Sequence, residues 1–338
     1  MKRILTALLV VALAVTVSSC TSQENKEVTS PPKVIFVTAA GGLNDNGEND
    51  EIWEACSDAA DEFDADIRCL ESETSSDVAA NVEAASDDMP AVVVTCGSDG
   101  AKAAKQSAAS HSDINYVVVD TEVKADNVAS IIFQSQDASF LAGIAAADVS
   151  EQECIGIILD RNNVSAASFY GFSAGVETGN SNATVKSVYL GTGGTDTDGM
   201  TAAKTLNSNG CDVIFTMTRS GEQGVMKYAK LKDMKVITVS GDSSRDDDDD
   251  SDVLLGVVER DAEEALAEEI HDAVDGNFRG GVRKYGLESD MVGFDAENGL
   301  SDSNENALES WEKLIKSGKL DVPATKAEFS TFDPSEFR

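Results

Sequence analysis

Histidine is nearly missing from this 338-residue chain, cysteine is scarce, and basic residues are far outnumbered: 2 His, 6 Cys, and 26 Lys and Arg against 61 Asp and Glu. His111 and His271 lie far apart in stretches that read as helical surface, and no Cys or His pairs carry metal-site spacing. Gly191-Thr192-Gly193-Gly194 lacks both the dinucleotide glycine register and the Lys-Ser/Thr of a phosphate loop, so it reads as a turn. Cys96-Gly97-Ser98-Asp99-Gly100 lacks the pattern of a nucleophile elbow. Hydrolytic and redox chemistry therefore have no visible agent, and the sequence predicts a protein that is not an enzyme and uses no cofactor or metal. With a formal charge of -35 spread along the chain, nucleic acid and anionic lipid headgroups are repelled. Asp246 to Asp250 repel one another and read as a solvated loop, without the spaced Gly and terminal Glu of an EF-hand.

What is present starts at the N-terminus. Lys2 and Arg3 precede an apolar run from Ile4 to Val17, too short for the ~20 residues that span a bilayer. It ends in Val17-Ser18-Ser19-Cys20, which resembles a bacterial lipobox. The resemblance implies cleavage after residue 19 and a diacylglyceryl-modified Cys20 as the new N-terminus, which anchors the product by lipid to the extracytoplasmic face of the cell membrane. Residues 20–32, polar and ending in Pro31-Pro32, read as the linker to the folded body. No second spanning run follows.

From Val34 onward, short β-branched runs alternate with Ala-rich stretches of helical period, the pattern of parallel strands covered on both faces by helices. Strands are expected at Val34–Thr38, Ile67–Leu70, Ala91–Thr95, Asn115–Val119 and Ile131–Phe133. The order then restarts with Ile155–Leu159, Thr184–Tyr189, Val213–Met217 and Val236–Val239, followed by Val253–Val258 and Met291–Phe294. The length exceeds the roughly 100 to 200 residues of one domain. The expectation is an α/β fold of two lobes, each a doubly wound parallel sheet, with lobe 1 formed by residues 33–150 plus about 260–280. Lobe 2 takes 151–259 plus about 281–338. Several crossovers act as the hinge, and the crevice between the lobes receives ligand groups from the carboxyl ends of the strands.

Beyond Cys20 the chain holds Cys56, Cys69, Cys96, Cys154 and Cys211. Cys154 and Cys211 each begin a strand, and in doubly wound order these strands are neighbours, so the two residues can approach bridging distance. Five buried or reduced thiols are the alternative.

Several segments, in order, are similar to the basic membrane protein family of lipoproteins, of the purine nucleoside receptor A type. They are Gly41-Gly42-Leu43-Asn44-Asp45-Asn46-Gly47 with Trp53-Glu54, Asp137 to Gly143, Tyr170-Gly171-Phe172-Ser173-Ala174-Gly175-Val176, and Gly210-Cys211-Asp212-Val213-Ile214-Phe215. The similarity runs over roughly residues 33 to 320. It implies the periplasmic-binding-protein type I architecture, and a monomer that binds a small solute and delivers it to the permease and ATPase subunits of an ABC importer. By position it implies that Asp45 and Asn49 face the cleft from the first strand-to-helix loop. Asp120 and Asp242 would accept bonds from ligand hydroxyls, as a carboxylate can do twice over. Phe133, Gly221 and Arg260 complete the implied ligand set.

The chain departs from the family at Glu48, where an aromatic stacking residue is expected, and at Ser240, where an Asp is common. The basic residue of the following strand falls at Arg260, and the loop at Gly191 to Asp196 has no aromatic. Lost stacking is worth about 0.5–1.5 kcal/mol per ring beyond area burial. Purine nucleosides are the implied ligand class, and acidic cleft residues oppose multiply anionic nucleotides. A surface receptor coupled to a sensor, taking another ligand, and a nucleoside-cleaving enzyme are the rival readings.

Overall fold

In the computed structural model, residues 30–44, 47–159, 165–191, 194–239, 252–297 and 299–337 are described. Cys20 and the lipobox, Asp45, Ser240, Asp242 and the Asp246 to Asp250 run lie outside the described residues.

Val34 to Val37, Val92 to Val94 and Val117 to Val119 have no solvent exposure. Such runs, apolar on both faces, belong to interior strands of a parallel sheet. They sit in β1 (Lys33–Ala40), β3 (Val92–Cys96) and β4 (Asn115–Val119), joined by β2 (Asp66–Ser72), β5 (Val128–Phe133) and β11 (Gly281–Tyr285). The sheet order is β11-β5-β4-β3-β1-β2, with every pairing parallel. Helices α1 (Glu48–Glu62) and α8 (Ala262–Val274) pack together, while α2 (Ser75–Asp87) and α3 (Gly97–Ser110) pair with each other. Trp53 of α1 stacks on Phe36 of β1 with ring centroids 6.5 Å apart, which seats the helix on its sheet.

The second sheet runs β12-β10-β9-β8-β6-β7. Its strands are β6 (Cys154–Leu159), β7 (Thr184–Tyr189), β8 (Val213–Thr216), β9 (Lys235–Val239), β10 (Leu254–Arg260) and β12 (Val292–Ala296), and only β12 is antiparallel to its neighbour. Helices α6 (Asp196–Ser208) and α7 (Glu222–Lys232) pair with each other; α4 (Ser135–Val149), α5 (Ala166–Gly179), α9 (Asp302–Lys316) and the short α10 (Lys326–Phe329) form another group. This is the two-lobed α/β fold that the alternating pattern predicts.

Two boundaries differ from the expected ones. Helix α4, expected in the first lobe, packs on α5 and across β10 and β12 of the second sheet. It is buried from Gln136 to Ala147, and a helix apolar all round needs cover on every side. The α4–α5 seam is close: a Cβ on Gly143 would lie 2.2 Å from the Phe172 carbonyl oxygen, and one on Gly175 would lie 2.0 Å from that of Phe140. The family-like Ala-Gly motifs are thus helix-packing motifs. Residues 281–285, expected in the second lobe, form strand β11 and pair with β5 in the first sheet. The chain therefore crosses between lobes three times, at Phe133–Ser135, at Arg260–Ala262 and between Tyr285 and Val292. The crossings are tied to each other: Gln134 N–H donates to the Tyr285 carbonyl at 2.7 Å, and Asp261 N–H to that of Met291 at 2.8 Å.

Candidate functional site

Helix α1 starts at a glycine-rich loop, with Gly47 as its N-cap and Glu48, Asp50 and Glu51 in its first turn, where carboxylates suit the positive end of the helix dipole. Three residues apart, Glu48 and Glu51 share one face. Between them Asn49 points inward and is buried. Its Oδ1 accepts from Ala39 N–H at 2.8 Å, and its Nδ2 donates to the Gly42 carbonyl at 2.9 Å. Asn49, implied by resemblance to face the ligand, braces the β1–α1 loop instead. Asp120 follows β4 in a left-handed conformation, φ 59°, that only short polar side chains and glycine adopt readily.

These first-lobe acids converge on Arg260, the last residue of β10. Its Nε and Nη2 donate to the two oxygens of Glu51 at 2.9 and 2.7 Å, a fork-to-fork pair, and Nη1 donates to Asp120 Oδ2. Glu48 Oε1 lies 3.8 Å from Nη2, and the guanidinium carbon sits 5.4 Å from the Phe133 ring centroid. From the loop after β8, Arg219 Nη2 reaches Glu51 at 3.2 Å. Side-chain exposure is 18% for Arg260, 13% for Glu51 and 31% for Asp120, so these charges are largely removed from water.

Beside the cluster lies a cleft of about 990 Å³ between the lobes, lined by Glu51 and Glu54 from α1 and by Arg219, Gly221, Glu222 and Arg260 from the second lobe. Gly221 caps α7 in the left-handed region at φ 72°, where a Cβ would come within 2.8 Å of the Thr195 carbonyl oxygen.

Burial raises the Glu51 carboxyl, yet the charge and hydrogen bonds of Arg260, aided by Arg219, outweigh it and hold the group below its ordinary value. Burial likewise opposes the charge on Arg260, but Glu51 and Asp120 keep it a guanidinium. Burial wins at Glu48, pushed up to about 8 against Arg260, with Asp120 adding to the rise. Glu222 is also pushed up to about 8 by burial, with Arg219 pulling the other way. The site thus combines one carboxylate held ionised, two arginines and two carboxyls that burial pushes toward protonation.

Of the implied ligand set, Asp120, Phe133 and Arg260 come together, and Arg260 and Gly221 line the cleft. Glu51, Arg219 and Glu222 were not anticipated. The Glu48–Glu51 spacing after a glycine loop, and an acid directly after Gly221, are the signals that could have found two of them. Among the described residues, one trio could hold a metal ion, Glu83, Asp87 and His111. It lies where α2 and α3 end, at the amino end of β4 and opposite the cleft. No helix among the described residues is long and apolar enough to cross a membrane.

Two α/β lobes joined by three crossings, with charged groups from both meeting at a polar cleft, form an arrangement that can enclose a small solute. The chain belongs to the Bmp family, described as ABC transporter substrate-binding protein PnrA-like, whose model matches residues 32–326. It is 26% identical to the ABC transporter nucleoside-binding protein BmpA of Lactococcus lactis subsp. cremoris, over 96% of this chain and 100% of that protein. It is 25% identical to a CD4+ T-cell-stimulating antigen of Listeria monocytogenes, over 93% and 96%. Among solved structures, an ABC transporter solute-binding protein from Aeropyrum pernix K1 superposes with a TM-score of 0.76 at 19% identity, covering 89% of this chain and 96% of that one. Family members of this kind are extracytoplasmic substrate-binding proteins of ABC transporters.

Proposed function

We propose that this protein is a lipid-anchored receptor that captures a purine nucleoside in the interlobe cleft and presents it to an ABC permease driven by a separate ATPase. The observation that carries the reading is the Arg260 cluster, in which first-lobe carboxylates and second-lobe cations meet beside the cleft. Asp120 and Glu51 accept bonds from ribose hydroxyls, and Arg260 supplies a planar cation where the family's aromatic is replaced by Glu48. Backed on one face by Phe133, the guanidinium stacks the base with the other. The excess of carboxylates repels nucleotide phosphates, so an uncharged nucleoside enters and a nucleotide does not. Hinge closure at the three crossings traps the solute, and no bond in it changes.

Support comes from the family membership, from the similarity to a relative named as nucleoside-binding, and from the acceptor-rich cleft. Thermal-shift screening against nucleosides, free bases, sugars and amino acids tests it. A ligand that binds only the folded state at 100 times its Kd stabilises by about 2.7 kcal/mol. Inosine, guanosine or adenosine should raise the midpoint. A shift with a sugar or an amino acid and none with any nucleoside would overturn the reading.

A further inference from the structure

Solute binding accounts for the cleft, but two sulfur atoms at the opposite end of the second lobe have no part in it. Cys154 opens β6, and Cys211 stands two residues before β8. These strands are adjacent and parallel with Ile155 opposite Val213, so the cysteines meet at the amino ends of the strands. Both backbones are pinned there: Asp212 N–H donates to the Cys154 carbonyl at 3.2 Å and Cys211 N–H to that of Leu206 at 3.1 Å. The two Sγ atoms, 57 residues apart in sequence, are 2.7 Å apart in space. Non-bonded heavy atoms settle at roughly 3.5–4 Å. Exposure is 5% at Cys154 and 1% at Cys211, and neither belongs to the Glu83, Asp87 and His111 trio.

We propose that Cys154 and Cys211 are a disulfide pair that staples β6 to β8 at the base of the second lobe. An extracytoplasmic setting permits such a bond. Its chemistry is thiol–disulfide exchange with a small-molecule or protein disulfide as oxidant. The first cysteine thiolate attacks the oxidant, forming a mixed disulfide and releasing one oxidant thiol. The second thiolate then attacks the protein sulfur of that bond, releasing the other oxidant thiol. The two cysteines lose two electrons and two protons, and the oxidant gains them. Burial pushes the Cys211 thiol up to about 12, with Cys154 beside it adding to the rise. Cys211 therefore holds little thiolate once the fold has formed. Cys56 and Cys96 are buried and Cys69 is half-buried, and the proposed pairing keeps those three as thiols.

The full chain, unfolded and refolded in a mixture of reduced and oxidised glutathione, is alkylated in denaturant without reductant and mapped by tryptic mass spectrometry. The expected result is one linked peptide pair containing Cys154 and Cys211, about 2 Da lighter than the two reduced peptides together, with the label on Cys56, Cys69 and Cys96. Label on both Cys154 and Cys211, or linkage of either to another cysteine, overturns the proposal. The Cys154→Ser/Cys211→Ser double variant should melt about 5–10 °C below the oxidised parent. Its response to any solute that shifts the parent should be unchanged, because the pair lies at the strand ends away from the cleft. Equal melting of variant and parent also overturns the proposal; if the variant does not fold, the map of the parent decides.

Discussion

The two sides of the Arg260 cluster are built from opposite chemistry. The first lobe contributes Glu48, Glu51 and Asp120, all acids, from a helix start and a strand end. The second contributes Arg260 from the end of β10 and Arg219 from the loop after β8, and adds the acids Asp196, Glu222 and Glu259 to the cleft lining. Without the arginines, the first wall would be a set of carboxylates crowded out of water. The contrast teaches that the halves are not interchangeable grips. One wall is stable only when the other, or a ligand with donors, supplies cations or hydrogens to it.

The strongest way to break the contrast is Arg260→Met, which leaves Glu51 and Asp120 without their main partner. Losing one member of a buried pair costs about 3–5 kcal/mol, so the urea midpoint should fall sharply, and solute binding should be lost with it. Adding Glu51→Gln to that background should recover part of the stability, a coupling that a double-mutant cycle reads directly. Asp120→Asn comes next, since it keeps the shape and removes the charge. Hydrogen bonds to charged groups are worth about 1.5–3 kcal/mol, so calorimetry should show solute affinity reduced roughly 10- to 100-fold. Arg219→Ala should act less, because Arg260 still holds Glu51 in a bidentate pair; the same titration should show less than about a tenfold loss.

A further test is one of pH. Glu48 and Glu222 have an ordinary value of 4.5 and are raised to about 8, so between these limits the folded chain holds protons that the unfolded chain has released. Their contribution to stability therefore falls as pH rises from 4.5 to 8, by at most about 1.4 kcal/mol per pH unit for each group. Glu51, lowered in the fold, acts oppositely: its contribution is present above pH 4.5 and is lost as pH falls through its folded value. Glu222→Gln should flatten the decline in melting midpoint between pH 5 and 8. An unchanged slope would show that Glu222 is ionised throughout.

Much of the scaffold was legible because interior parallel strands are written as unbroken Val and Ile runs. Each such run, from Val34 to Val258, became a strand. Strand β11 was not legible: Gly281-Val282-Arg283-Lys284-Tyr285 lies at a sheet edge, is only partly buried, and so carries no apolar run. The placement of α4 could not be read either, since an all-apolar helix announces that it is covered without saying by which lobe. In the site, Asp120 and Arg260 were marked by position, but the Glu51–Arg260 fork joins residues 209 apart in sequence. The brace made by Asn49 was not legible, because an amide suits a loop brace as well as a ligand, and the contacts with Ala39 and Gly42 are seen only in the fold.

The seam between α4 and α5 carries one further consequence. Where main chain rests directly on main chain, no side chain is left to swivel or slide, so the seam transmits force as a weld does. Thermal motion of the second lobe must then appear as rotation of the whole block about its three tethers. A single added methyl at Gly143 or Gly175 would act as a wedge in that weld, prying the block open far from any residue that meets the solute.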